Sequence, residues 1–149
     1  MRAVVQRVSK ASVVVQGVTV GAIDAGLLVY LGVDREDIGQ DADYVADKVR
    51  YLRIFPDAEE KMNLDVFQAG GAVLVVSAFT LQADARKGRR PTFEGAASGD
   101  RARVLYELFC DALTRLGLRV ERGLFGAVME VHSANAGPVC ILLDSRRAF

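Results

Sequence analysis

The sequence has no tryptophan, a single histidine (His132) and two cysteines, Cys110 and Cys140, in 149 residues. Neither cysteine lies in a CxxC or similar spacing. With one histidine to add, the common zinc arrangements are excluded, and a metal-dependent mechanism is not expected. Sparse cysteine and no signal-like N-terminus lead to the expectation of a reduced, cytoplasmic setting. No apolar run is long enough to cross a bilayer. Net charge is also missing, because Lys plus Arg equals Asp plus Glu at 19 each. No overall field draws the chain to nucleic acid, so such binding must come from a local patch. Neither the dinucleotide nor the P-loop glycine spacing occurs, and no cofactor is expected.

What is present is ordinary globular material, with 51% apolar and 26% charged residues and no low-complexity tract. The length suits one domain spanning residues 1–149. Residues 2–15 are rich in β-branched side chains and read as one long strand, or two broken by a bend near Ser9–Lys10. Val18–Ile23 reads as the returning strand, and the continuous apolar runs Leu27–Val33 and Ala72–Val76 as buried strands. Asp41 is placed as N-cap of a helix to about Ile54, and Leu64–Phe67 as a short strand. A second helix is expected over 101–116, capped by Ser98 or Asp100 and stopped by Gly117. Arg119–Arg122, Ala127–Ser133 and Val139–Leu143 read as strands, with Gly137–Pro138 as a break between the last two. The pattern lacks strict β-α-β alternation. It implies an α+β fold whose mixed or antiparallel sheet closes toward a barrel, with two helices packed on it.

Two stretches could carry chemistry. In Ser77-Ala78-Phe79-Thr80 a strand stops at a sharp bend, where backbone N–H groups without a ladder partner can hold an oxyanion and Thr80 or Ser77 offers a hydroxyl. The plainer reading is a strand end whose Ser and Thr bond to their own backbone. Just after it, Arg86, Lys87, Arg89 and Arg90 surround Gly88. Such a cluster needs solvent or phosphate, and suits either a surface loop or a phosphodiester-bearing ligand. Gly137–Pro138 reads on pattern alone as a trans turn. His132 sits in an alternating segment with nothing to place it near Ser77, and Cys140 lacks the electropositive partner a nucleophilic thiol wants.

The stretches AVVQRVSKASVVV, AGLLVYLGV, RIFPDAEEKMNLDV, SAFTLQADARKGRRPTF and NAGPV, taken together and in register, resemble the D-aminoacyl-tRNA deacylase family. Its two signatures, serine-glutamine-phenylalanine-threonine-leucine and asparagine-x-glycine-proline-x-threonine, fall on Ser77–Leu81 and Asn135–Cys140. The resemblance implies a homodimeric cytoplasmic enzyme that hydrolyses the ester joining a D-amino acid, or glycine, to the terminal adenosine of tRNA. It implies a cis Gly137–Pro138 step inserted into the partner subunit's pocket, with Asn135 and Val139 beside it and Arg7 supporting the loop. Selection would then work partly by crowding out the L configuration. The oxyanion would be held by the N–H groups of Ala78 and Phe79, with either Thr80 or the substrate's ribose hydroxyl assisting. Lys87, Arg89 and Arg90 would meet the tRNA acceptor end. Phe125 and Met129 would line an adenosine pocket or serve in the core. No metal is required.

Two positions depart from the family pattern. Its glutamine is Ala78 here and its second threonine is Cys140, a weaker hydrogen bonder. A mechanism needing the side-chain amide is put in doubt, whereas one using main-chain donors survives. Two other functions therefore stay open: an editing deacylase with relaxed selectivity for a mischarged L-amino acid, and a catalytically weakened tRNA-binding paralogue.

Overall fold

A computed structural model describes residues 1–148. Its organising element is β1 (Arg2–Val15), which has neighbours on both edges. Along one edge β1 pairs antiparallel with β3 (Gly26–Gly32) over Arg2–Val8, and then with β2 (Val18–Ile23) over Ala11–Val15. Along the other edge it pairs antiparallel with the last strand, β8 (Glu130–Asp144). From β3 the sheet continues in parallel to β6 (Ala72–Ser77) and β7 (Val120–Arg122). The sheet is therefore mixed, and β2 curls over to meet β7. At Gly21 of β2 a Cβ would lie 2.6 Å from the Arg122 carbonyl and 3.2 Å from Leu74. That approach brings the sheet close to closure as a barrel.

The two continuous apolar runs follow from burial on both faces. On β3 and β6, Leu27, Val29, Leu31, Val73 and Val75 face the helices. Their alternates Leu28, Leu74 and Val76 face the barrel interior with Val8, Val13 and Ile23. The helices α1 (Gly39–Tyr51) and α2 (Gly99–Arg115) cover the outer cluster with Ala42, Val45 and Val49 from one and Leu105, Phe109 and Leu113 from the other. In chain order, the small ribbon of β4 (Phe55–Pro56) and β5 (Met62–Leu64) follows α1.

Several boundaries differ from the sequence expectation. Asp41 does cap α1, but as its third residue, with Oδ2 accepting from the Ile38 N–H at 2.8 Å. The helix starts earlier than expected and ends at Tyr51, because the chain must extend to pair Phe55 with Leu64. The strand expected at Leu64–Phe67 is a turn beyond Leu64. Gln68 Oε1 accepts from the Asp65 N–H and Asp65 Oδ1 from the Gln68 N–H, closing it, while Asp65 also pairs with the buried Arg50 at 2.8 Å. The bend expected near Ser9–Lys10 is a shift of register inside an unbroken strand.

The largest correction concerns Gly137–Pro138. It does not separate two strands, since β8 runs straight through it. Between the pairs Gln6–Cys140 and Val8–Asn135, β8 takes five steps against two on β1, so three residues are pushed out as a bulge. The peptide is cis, as the resemblance implied and the bare pattern did not.

Closure of the barrel at Gly21 leaves no room for a side chain. Gly21→Ala is expected to destabilise the protein by about 1–3 kcal/mol, the usual penalty for overpacking, read from urea unfolding midpoints at unchanged m-value.

Candidate active site

The site grows from the end of β6. Parallel pairing with β3 continues one residue past the strand, since the Ala78 N–H donates to the Leu31 carbonyl at 2.8 Å. The chain then tightens into a 3-10 turn over Phe79–Gln82, closed by Leu81 N–H to the Ala78 carbonyl at 3.1 Å. The first N–H groups of any helical turn have no partner within it. Those of Phe79 and Thr80 meet no acceptor among the described residues. This corrects the expected donor pair. Ala78 is engaged by β3, and the two free main-chain donors belong to Phe79 and Thr80.

The turn forms one wall of a cavity of about 810 Å³. Ser77, Ala78, Phe79 and Thr80 face Phe125 and Met129 across it, with Tyr30, Tyr106, Ala97 and Val131 among the other walls. Phe125 and Met129 thus share the cavity with the turn, and each also touches a core cluster. Aromatic contacts fix the walls. Phe79 meets Phe93 edge-on at 5.1 Å between centroids, and Phe125 tilts against Tyr106 at 5.6 Å. The Arg103 guanidinium sits over the Phe125 ring at 4.9 Å.

No Asp, Glu, His, Lys or Arg lines this cavity among the described residues. Its polar groups are hydroxyls and main-chain amides. Burial pushes the phenol of Tyr106 well above its ordinary range, so it stays protonated and donates to the Val75 carbonyl at 2.9 Å. Burial also raises Tyr30. A cavity without a general base at neutral pH is suited to electrostatic stabilisation by fixed donors.

The second motif stands apart from this cavity in the same chain. Neither Asn135, Gly137, Pro138 and Val139 nor Arg7 lines it. The bulge in β8 is held from both ends. Asn135 Oδ1 accepts from the Val139 N–H at 2.8 Å, and Asn135 Nδ2 donates to the Val139 carbonyl at 3.2 Å. Arg7 Nε donates to the Ala136 carbonyl at 2.8 Å, and its Nη1 to the Ile54 carbonyl. Gly137 has φ +146°, and a Cβ there would meet Val139 at 2.8 Å and Arg7 at 3.0 Å. The step is built into a fixed shape and offered outward from β8.

The basic cluster occupies a loop closed by Asp84 and Thr92, whose N–H groups donate to each other's carbonyls at 2.9 and 3.0 Å. Asp84 accepts two bonds from the Arg86 guanidinium, which hold its carboxyl far below the usual carboxylate range. Arg86 is thereby neutralised. Lys87, Arg89 and Arg90 are exposed and make no ion pair among the described residues. The loop leaves from the 3-10 turn and returns at Phe93, beside the cavity mouth.

Other candidates fall away. His132 lies exposed on β8 with Glu130 at 2.7 Å, and neither it nor Cys140 lines the cavity. Cys110 is buried, and burial raises its thiol to about 11. Sequence reasoning missed Tyr30 and Tyr106, which line the cavity from β3 and α2. It also missed Gln82, a polar side chain in a turn that is nonetheless buried.

The family model for D-Tyr-tRNA(Tyr) deacylase matches residues 4–144. The chain belongs to that family. A D-aminoacyl-tRNA deacylase from Anaeromyxobacter dehalogenans (strain 2CP-C) is 60% identical over the full length of both chains. One from Koribacter versatilis (strain Ellin345) is 56% identical, again with full coverage of both. Among solved structures, one named c-Myc DNA Unwinding Element Binding Protein superposes with a TM-score of 0.90 at 39% identity, covering 97% of this chain and 98% of its own. A probable eukaryotic D-amino acid tRNA deacylase superposes at 0.78, covering 95% and 97%, and at 18% identity it speaks for the deacylase fold alone.

Tyr106 ties α2 to β6 behind the cavity. Tyr106→Phe removes its bond to the Val75 carbonyl, which keeps a second donor in the Gly123 N–H. The expected loss is about 1 kcal/mol of stability, read by urea denaturation.

Proposed function

We propose that the protein hydrolyses the ester of D-aminoacyl-tRNA, and of glycyl-tRNA, releasing the free amino acid and tRNA. The single observation that carries the reading is the unengaged N–H pair of Phe79 and Thr80, set in a cavity with no acid–base side chain. Addition of water to the ester carbonyl, with one of its protons passing to solvent, makes a tetrahedral oxyanion to which this pair donates. Collapse breaks the bond to the ribose oxygen, which leaves with a proton as the tRNA hydroxyl, and the amino acid departs as its carboxylate. Since the donors are main-chain groups, alanine at position 78 does not disable the step. Thr80, whose hydroxyl stands at the cavity wall, and the neighbouring ribose hydroxyl are the two groups placed to assist proton movement.

Selectivity is assigned to Gly137 and Pro138 of a second copy of the chain in a homodimer. Two observations support this. The bulge is rigidly held yet lines no part of its own chain's cavity. It also lies on a 15-residue strand that, among the described residues, pairs with β1 alone, with Leu142 54% exposed. A long unpaired edge of this kind is normally covered. Carbonyls presented by the bulge accept from the substrate's α-ammonium, and its backbone crowds the place an L side chain would need. Phe125 and Met129 form the wall for the terminal adenosine, while Lys87, Arg89 and Arg90 reach phosphates of the acceptor end. A cytoplasmic setting, where charged tRNA and reduced thiols coexist, follows from this role.

The direct test is deacylation of paired substrates. D-Tyr-tRNA and Gly-tRNA are expected to lose their amino acid while L-Tyr-tRNA is spared. Equal hydrolysis of both enantiomers, or of neither, overturns the reading.

The shared site has its own test. Phe79→Pro removes one N–H at a first helical position, where proline is otherwise tolerated, and Gly137→Ala deforms the bulge. Each variant alone is expected to be inactive. Refolded together they should recover roughly a quarter of wild-type activity, the statistical yield of one intact site in mixed two-fold dimers. No recovery would mean that both motifs serve the same subunit.

A further inference from the structure

The 3-10 turn that presents the Phe79 and Thr80 donors is short, and four residues do not hold a shape by themselves. Its shape is imposed from β3. At the front, the Ala78 N–H reaches the Leu31 carbonyl at 2.8 Å. At the back, Gln82 Nε2 donates to the next carbonyl, that of Gly32, at 2.9 Å, and the Gln82 side chain is buried with the residue only 6% exposed. Two successive carbonyls of one strand therefore grip the two ends of the turn.

Gly32 allows the grip to be this close. A Cβ there would stand 2.8 Å from Leu81 Cβ, 2.9 Å from the Ala78 carbonyl oxygen and 3.4 Å from Gln82 Nε2. From the outside, Arg2 Nη1 donates to the Leu81 carbonyl at 3.1 Å, with Arg2 Nε on Asp144 at 3.0 Å. Of these restraints only the Gln82 amide is both buried and contributed by the turn's own side chains.

We propose that Gln82 is a positioning residue for the deacylation: its amide, seated on the Gly32 carbonyl, aims the Phe79 and Thr80 N–H groups at the oxyanion. The assignment rests on the deacylase reading given above. Gln82 touches no substrate. It acts by fixing donors whose alignment matters more in the transition state than in the bound ground state, so its loss falls on kcat and leaves KM nearly unchanged.

The test is a series at one position. Gln82→Met keeps length and volume but removes the donor, and Gln82→Glu replaces the donor by a charge that repels the Gly32 carbonyl. The expected order of kcat on D-Tyr-tRNA is Gln above Met above Glu. The Met variant should lose roughly tenfold, short of the 10²–10³ seen when an oxyanion donor is removed outright. KM should stay within about twofold of wild type. Gly32→Ala, which pushes on Leu81 and the Ala78 carbonyl from the β3 side while leaving the amide and its acceptor chemically intact, should reproduce the kcat loss. Urea unfolding of each variant reports that the assayed protein is folded. A Met variant with wild-type kcat, or one whose loss appears in KM, overturns the assignment of Gln82 while wild-type D-selective hydrolysis still stands. Wild-type protein that fails to hydrolyse D-Tyr-tRNA overturns the deacylase reading itself.

Discussion

Everything in this fold depends on β1 having partners along both edges. One edge is given wholly to β8, and the other is divided between β3 and β2. Because β1 takes β3 along its first half and β2 along its second, the sheet must curl, and the curl carries β2 over β7. Because β8 spans nearly the whole of β1, any surplus residue in β8 has to leave the ladder. The Gly137–Pro138 excursion is that surplus. Backbone hydrogen bonding in one strand thus determines where the barrel closes and where the second motif protrudes.

The cavity illustrates a way of doing acyl chemistry without ionisable side chains. Fixed N–H dipoles cost nothing to reorient as charge develops. Their placement depends on the end of β3, where Leu31 and Gly32 turn two consecutive carbonyls toward the same turn. In the proposed mechanism the side chain at position 78 is dispensable for holding charge, and the burden moves to backbone geometry.

Much of this was legible from residue pattern. The runs Leu27–Val33 and Ala72–Val76 announced strands buried on both faces, and residues 101–116 announced an amphipathic helix within two residues of its true bounds. Other features depend on long-range pairing that no local pattern carries. Glycine and proline in β8 looked like a break, because a ladder supplied by β1 outweighs local breakers. Asp41 was read as the first cap and is the third residue, an ambiguity built into capping signatures themselves. Which N–H groups of the turn remain free depended on how far β3 reaches, which the turn's own residues do not encode. Gln82 was unreadable for the same reason: a glutamine in a loop signals solvent until a distant carbonyl is known to be waiting for it. Asp84 pairs with Arg86, leaving Lys87, Arg89 and Arg90 exposed in the same loop.

Asn135 bonds both the N–H and the carbonyl of Val139, four residues ahead of it in the same strand. The loop between them is therefore tied off by one of its own side chains and keeps its outline whatever it faces. Surfaces that must stiffen on contact surrender configurational freedom and lose affinity in proportion. A loop already closed surrenders almost none, so its fit against a neighbour resembles that of a small rigid ligand more than that of a flexible arm.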